Sequence, residues 1–391
     1  MFRFFAVCAV LSFLATSPAS SQVSENITVP PIDFQRWARF VVRDMFDTQP
    51  HERYVLMMDP SYYPELVDAL RAEFMEVHAV ELGTILFDGV RVAERRRQIG
   101  PRASDTRYRT YADEAMQRLY EEADIFLWLP YRYSVGSERG DRRLMEHMVE
   151  GTRVRGLHLH WVQGLGRLGQ DDVNTLSEMY ARALDIDYDA LSAHQDRIIG
   201  AMRDREIRIT TPFGTDLRMH IPTDAWFHKN DGRLDRAKAA RARSVRDRQM
   251  ELPAGALRFI PDVTSVEGVL AVPSWRGGRN VRFTFRNGLV TSVSAEENEQ
   301  AVRDAWRSET GDKDRIAELV IGTNPVLPIH GPGTRPPYYG YGAGALRIAL
   351  GENWESGGTN RSSMEAWFYF TDASVSAGDV RIVRDGELVL R

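Results

Sequence analysis

Leu346–Phe370 reads LRIALGENWESGGTNRSSMEAWFYF. Two apolar, strand-like runs flank a polar centre that contains a Gly-Gly pair, Asn360 and several Ser. Gly, Asn and Ser between two apolar runs are turn chemistry, so the stretch predicts two strands joined by a structured loop. No His or Cys lies in it, while Arg347, Glu352, Glu355 and Glu365 stand in or beside the apolar runs. Charge set among strand residues marks a site, because a local rule is broken where a core would be expected.

The rest of the chain supplies the setting. It has 391 residues, enough for two ordinary domains. Apolar content of 43% and charged content of 27% are globular values. The net charge of −5 argues against nucleic acid as a bulk electrostatic partner. The first residues, MFRFFAVCAVLSFLATSPASSQ, combine Arg3, an apolar run too short to span a bilayer, and small residues before Gln22. That order is a secretory signal peptide over residues 1–21, with cleavage expected near Ser21 and no membrane span expected in the mature chain. Cys8 is the sole cysteine and lies inside the apolar run. A mature chain without disulfides in an oxidising compartment points to a bacterial periplasm.

Strand-like and helix-like segments alternate in the first half. RYVLMMD (Arg53 to Asp59), HAVELG (His78 to Gly83), DIFLWLP (Asp124 to Pro130) and the run from Leu157 read as strands. YPELVDALRAEF, YADEAMQRLYEEA and DYDALSAHQDRIIGAMRD read as helices, the last capped by Asp187 or Asp189. This alternation predicts an α/β domain with a mainly parallel sheet over residues 22–205. Beyond it the period changes to short strands and turns, including a hairpin at Asn287-Gly288 and a helix near Asn298 to Arg307. Residues 206–391 are therefore expected to form a β-rich α+β domain.

Other clusters have ordinary readings. His158 and His160 alternate on one strand and share a face, but no third ligand is near in sequence, so satisfied imidazoles are favoured over a metal pair. The basic run Gly232 to Arg248 is either an anion site or a solvated segment whose arginines pair with residues such as Asp247; the overall acidity favours the second. DIDYD (Asp185 to Asp189) lacks the Gly of a Ca²⁺ loop and reads as a helix start. Nucleotide-binding P-loops, HExxH, CxxC and GxSxG motifs are absent.

Four segments occur in a telling order: TPFGTDLRMHI with NDGRLD, ELPAGALRFIPDVTSVEGVL, AELVIGTNP, and LRIALGENWESGGTNRSSMEAW. Together they resemble the aminopeptidase T family of metallopeptidases, the leucyl aminopeptidases of thermophilic type. The resemblance implies an α/β domain followed by a β-rich domain, and a homodimer through the β-rich half. It also implies two divalent metal ions that polarise a peptide carbonyl and activate a water. The positions matching the family's metal ligands are Ala256, Glu318, Arg347, Glu365 and Trp367, and Trp354 stands where the family has a tyrosine proton donor. Ring-cleaving dihydroxypyridine enzymes of the same fold would hold one iron with His and Asp, and those positions are lost as well.

Only Glu318 keeps a family ligand. Ala256 has no donor atom, Arg347 is always cationic, and Trp367 offers only an N–H. The expectation is a degenerate metal site without cofactor in a non-catalytic binding or structural protein, acting on an unidentified small molecule or peptide. Two alternatives stay open: a metal-independent enzyme in the same cleft, and a metal-dependent aminopeptidase with substitute ligands such as Glu352, Glu355 or His330. The candidate cleft is Glu318, Arg347, Trp354, Asn360, Glu365 and Trp367. Arg347 is expected to replace the metals by bridging Glu318 and Glu365, since a guanidinium fork fits two carboxylates.

Overall fold

The structure is a computed structural model that describes residues 33–58, 64–86, 118–119, 121–129, 154–159, 170–330 and 336–390, without the side chains of 170–174. The signal sequence, Cys8 and His160 lie outside these residues.

Strands β1 (Arg53–Met58), β2 (Val80–Leu86), β3 (Ile125–Trp128), β4 (Arg155–Leu159) and β8 (Gln249–Leu252) form a parallel sheet in the order β2-β1-β3-β4-β8. Strands β1 and β3 read as near-continuous apolar runs because both faces are covered. One face, with Tyr54, Leu56, Ile125, Leu127, Leu157 and Met250, joins a core with α1 (Phe34–Arg39) and its π-helical continuation Phe40–Met45. Residues from α2 (Pro64–Glu76), α3 (Gln170–Leu184) and α4 (Tyr188–Met202) complete it. The other face packs Val55, Phe126 and Val154. Asp187 caps α4 by accepting from Ala190 N at 2.9 Å, which resolves the two capping choices in the sequence.

The β-rich half has two antiparallel sheets. One has eight strands in the order β12-β11-β10-β6-β5-β16-β17-β18. These are β5 (Arg205–Thr210), β6 (Asp216–Ile221), β10 (Glu267–Trp275), β11 (Gly278–Arg286), β12 (Leu289–Ser294), β16 (Ser374–Ala377), β17 (Val380–Arg384) and β18 (Glu387–Leu388). Asn287 and Gly288 turn β11 into β12 with φ of 49° and 77°, the left-handed pair a tight hairpin needs. The helix α6 (Glu299–Ser308) follows. The smaller sheet has the order β15-β14-β13-β9-β7, from β7 (Phe227–Lys229), β9 (Ala256–Phe259), β13 (Ile316–Gly322), β14 (Leu346–Gly351) and β15 (Glu365–Phe370).

This five-stranded antiparallel sheet is the middle layer. Leu257, Phe259, Leu319, Ile321, Ile348, Phe368 and Phe370 face the eight-stranded sheet. Ala256, Val320 and Trp367 face the core of the parallel sheet. The period of two along each strand separates the two sets. The change of texture near residue 205 coincides with β5, yet the chain returns to the parallel sheet at β8 and then crosses at once to β9 through Pro253–Gly255. Gly255 has φ of +139°, and a Cβ there would sit 2.5 Å from Asn324 Cβ, so only glycine fits this crossing. Among the described residues no helix is long and apolar enough to cross a membrane.

A candidate cleft of buried carboxylates and guanidiniums

Each of four strands at the crossing carries one charge: Glu251 in β8, Arg258 in β9, Glu318 in β13 and Arg347 in β14. Cross-strand register decides how they meet. His228, Arg258, Val320, Arg347 and Tyr369 lie opposite one another across the middle sheet and so point to one face. Glu318 is two residues before Val320 and shares that face in β13. Its place is set by a bulge: Ile316 pairs with Leu350 and Leu319 with Ile348, so Ala317 and Glu318 oppose Ala349 alone.

The bulge frees carbonyls, and the Asn residues of the polar loop take them. Asn360 Nδ2 donates to Ile316 O at 2.9 Å and Gly351 O at 3.0 Å. Asn353 Nδ2 donates to Ala317 O at 3.0 Å, and its Oδ1 accepts from Asn360 N. The loop in Leu346–Phe370 is thus a clamp on the bulge that aims Glu318. Asn324 of IGTNP does a similar task at the crossing, donating to Ala254 O at 2.7 Å.

Glu318 is 4% exposed, and both its oxygens are engaged. Arg258 Nη1 donates to Oε1 at 2.6 Å, and the Ser356 hydroxyl donates to Oε2. Arg258, 2% exposed, also donates to Glu251 Oε2 at 2.9 Å and to the Tyr341 hydroxyl, which in turn donates to Glu251. Arg246 reaches Glu251 at 3.3 Å and Glu355 at 2.6 Å. Burial alone would raise the Glu318 pKa; Arg258, Arg246 and the Ser356 hydroxyl outweigh it and hold the carboxyl below its usual range. Burial pushes the Tyr341 hydroxyl up, so it stays a neutral donor.

The expected bridge by Arg347 is therefore corrected: Arg258 is the cation on Glu318. Among the described residues Arg347 makes no ion pair, and its buried Nε finds no acceptor. Its guanidinium lies 4.0 Å from the Trp367 ring centre, 5.3 Å from that of Tyr369 and 5.9 Å from that of Tyr341. The ring faces hold the charge through their quadrupoles. The reason is register: opposite Arg347 stand Val320 and Tyr369, neither of them an acid. Glu365 opens β15 on an exposed edge and accepts from Trp367 Nε1 at 2.9 Å. Its side chain is exposed, yet the surrounding protein partly desolvates it, and this together with the neighbouring Glu355 raises its pKa. Trp354, in the turn Trp354–Ser356, is half-buried.

Arg258, Glu251, Arg246, Tyr341 and Ser356 escape a sequence reading that follows family ligand positions. The lone charge in the apolar run ALRF was the available signal for Arg258, whereas Glu251 stands in QMEL, which carries none. Glu352 accepts from Ser362 N at 3.0 Å and Glu355 is paired with Arg246, so two of the three offered substitutes for a metal ligand are engaged, while the third, His330, is exposed. Among the described residues no three His, Cys, Asp or Glu side chains are grouped to hold a metal ion. The donor set at this cleft, two carboxylates tied to guanidiniums and hydroxyls, does not fit a two-metal centre.

Within the basic run, Asp247 accepts from both Trp226 Nε1 and the backbone N–H of Arg243, with His228 Nδ1 3.6 Å away. The expected pairing of Asp247 with a neighbouring arginine side chain is replaced by these contacts. Burial would raise its pKa, but the His228 ring and the two N–H donors outweigh it and hold it at about 2. A depressed carboxyl stabilises the fold above its unfolded pKa, and that stability is lost as pH falls through the folded value. Asp247 is expected to contribute about 2 kcal/mol that disappears between about pH 4 and pH 2. Denaturant unfolding of Asp247→Asn should show a flatter stability profile over that range; a profile parallel to the wild type would contradict it.

Two solved structures are similar to this chain over nearly their whole length. Wild-type AmpT from Thermus thermophilus superimposes with a TM-score of 0.59 at 17% identity, covering 91% of this chain and 98% of that one. The chain has the aminopeptidase T-like two-domain fold. A 2,5-dihydroxypyridine dioxygenase from Pseudomonas putida KT2440 has a TM-score of 0.56 at 16% identity, covering 92% and 97%. One aminopeptidase T-like fold thus carries two unlike named chemistries, and fold alone does not choose between them. No family model and no curated protein matches the sequence.

Proposed function

We propose that this chain is a non-catalytic binding protein built on an aminopeptidase T-like scaffold and exported to the periplasm. The observation that carries the reading is the saturation of Glu318: one oxygen is held by Arg258 and the other by Ser356. A carboxylate so held, with its pKa lowered, is a poor general base and has little freedom to bind a cation. Arg347 supports binding over chemistry. It is 5% exposed, lies among three aromatic rings and has no carboxylate partner among the described residues, so it suits a ligand carrying an anionic group on an apolar body. A homodimer through the β-rich half belongs to the same proposal. Export rests on the order of charge, apolar run and small residues before Gln22, and N-terminal sequencing of the native protein that finds Met1 would contradict it.

The test is an aminopeptidase assay of the mature chain on unblocked peptides, with chelator and then with added Zn²⁺, Co²⁺ or Mg²⁺. Release of N-terminal residues is expected to stay at the buffer background throughout. A sustained rate that the chelator abolishes and a metal restores would overturn the proposal in favour of a metallopeptidase with substitute ligands.

A further inference from the structure

A pocket of about 390 Å³ opens where four neighbouring parallel strands begin. It shares no lining residue with the carboxylate cleft. Glu52 and Arg53 enter from the start of β1, Asp124 precedes β3, Arg155 opens β4 and Arg248 precedes β8. The short helix α5 (Arg236–Ala240) adds Arg236 and two alanines to the lining. Parallel register brings these positions together: Tyr54 pairs with Ile125, Ile125 with Arg155, and Gly156 with Gln249.

The charges in this lining do not balance. Four guanidiniums face two carboxylates, an excess of two positive charges. Arg155 is buried and committed, donating to Glu52 at 2.7 Å and to Phe46 O. Arg53 takes Asp124 at 3.6 Å and reaches Glu122 at the rim. Among the described residues Arg236 has only a distant contact with Glu52, 3.9 Å. Arg248 forms no ion pair among the described residues, and its Nε is buried without an acceptor. Burial pushes Arg248 below the usual arginine range, with only Asp247 opposing. Burial likewise lowers Arg155, partly offset by Glu52, and Arg236 lowers it further. Uncompensated like charge around a cavity is unfavourable unless an anion enters.

We propose that this pocket is a binding site for a small dianion, a compound bearing a phosphate or two carboxylates, held between Arg236 and Arg248. Guanidinium forks match both groups with paired N–H donors, and arginine keeps its charge when partly desolvated. Two negative charges meet the excess of the lining. The volume is at the small end of small-molecule sites, which suits a compact polar metabolite and not a polymer. Arg155 forms a fixed floor, since both ends of its fork are already engaged. The proposal is independent of the reading of the carboxylate cleft.

Titration calorimetry of the mature chain at low salt, with inorganic phosphate in one arm and succinate in the other, tests it. Saturable binding of at least one is expected, and the tighter arm assigns the oxyanion. Arg236→Gln and Arg248→Gln should each weaken that binding by about tenfold or more, the loss of one charge-assisted contact. Arg307→Gln, on the exposed face of α6, should leave it unchanged. Arg236 is largely exposed, so its variant tests the site even if the Arg248 variant folds poorly. Lack of saturable binding in both arms, or unchanged affinity in Arg236→Gln, would overturn the assignment.

Discussion

Arg258→Met is expected to destabilise the protein by about 3–5 kcal/mol at neutral pH, the usual result of stranding one side of a buried ion pair. Arg258 is 2% exposed and is the shared donor to Glu318 and Glu251. Methionine fills much of the volume without the charge, so the loss reports electrostatics more than a cavity. Glu318 would keep the Ser356 hydroxyl and Glu251 would keep Tyr341 and Arg246, which limits the damage but does not neutralise two carboxylates. The same logic gives the pH dependence. In the wild type the Glu318 pKa is depressed, so its contribution is present above the unfolded carboxyl value and fades as pH falls through the folded one. In Arg258→Met the stranded carboxyls favour protonation, and the gap to wild type should narrow in acid. Adding Glu318→Gln should return part of the loss, because an uncharged amide needs no counter-ion. Urea unfolding of the single and double variants at pH 7 and pH 5 measures all three effects. A loss under about 1 kcal/mol, the value for a solvent-screened pair, would show that the cluster is wet and weak.

Asn360→Ala should cost about 2–4 kcal/mol, because it leaves two buried carbonyls without their donor. Those carbonyls, Ile316 O and Gly351 O, lie on β13 and β14 at the bulge and receive the two Nδ2–H groups of Asn360. The backbone N–H of Asn360 keeps its bond to Asn353, so part of the clamp would survive. Thr359→Ala, one residue away and exposed, should change stability by no more than about 0.5 kcal/mol. Equal effects of the two substitutions would mean that the loop tolerates loss of the clamp and that strand pairing alone holds the bulge.

The fold class was legible because its signals are local. The apolar run RYVLMM, the amphipathic Pro64–Glu76 and the Asn287-Gly288 turn each specify an element through nearby residues. Strand β8 was not legible, since four residues, QMEL, carry no periodicity, and their pairing with β4 is a contact across distant sequence. The three-residue β7 is illegible for the same reason, whereas the 15-residue amphipathic α3 does carry a readable helical period.

The sequence by itself determined the α/β and β-rich halves and the turn chemistry, and it carried a resemblance in four ordered segments that implied metal-ligand positions at Ala256, Arg347 and Trp367. It also displayed one charge in each of three apolar runs, at Arg258, Glu318 and Arg347. Which charges meet was decided only by tertiary structure. A single bulge in β13 turns Glu318 toward Arg258, and strand register leaves Arg347 opposite Val320 and Tyr369. In a sheet a shift of one residue moves a side chain to the other face, so partners across strands follow from register and not from residue type.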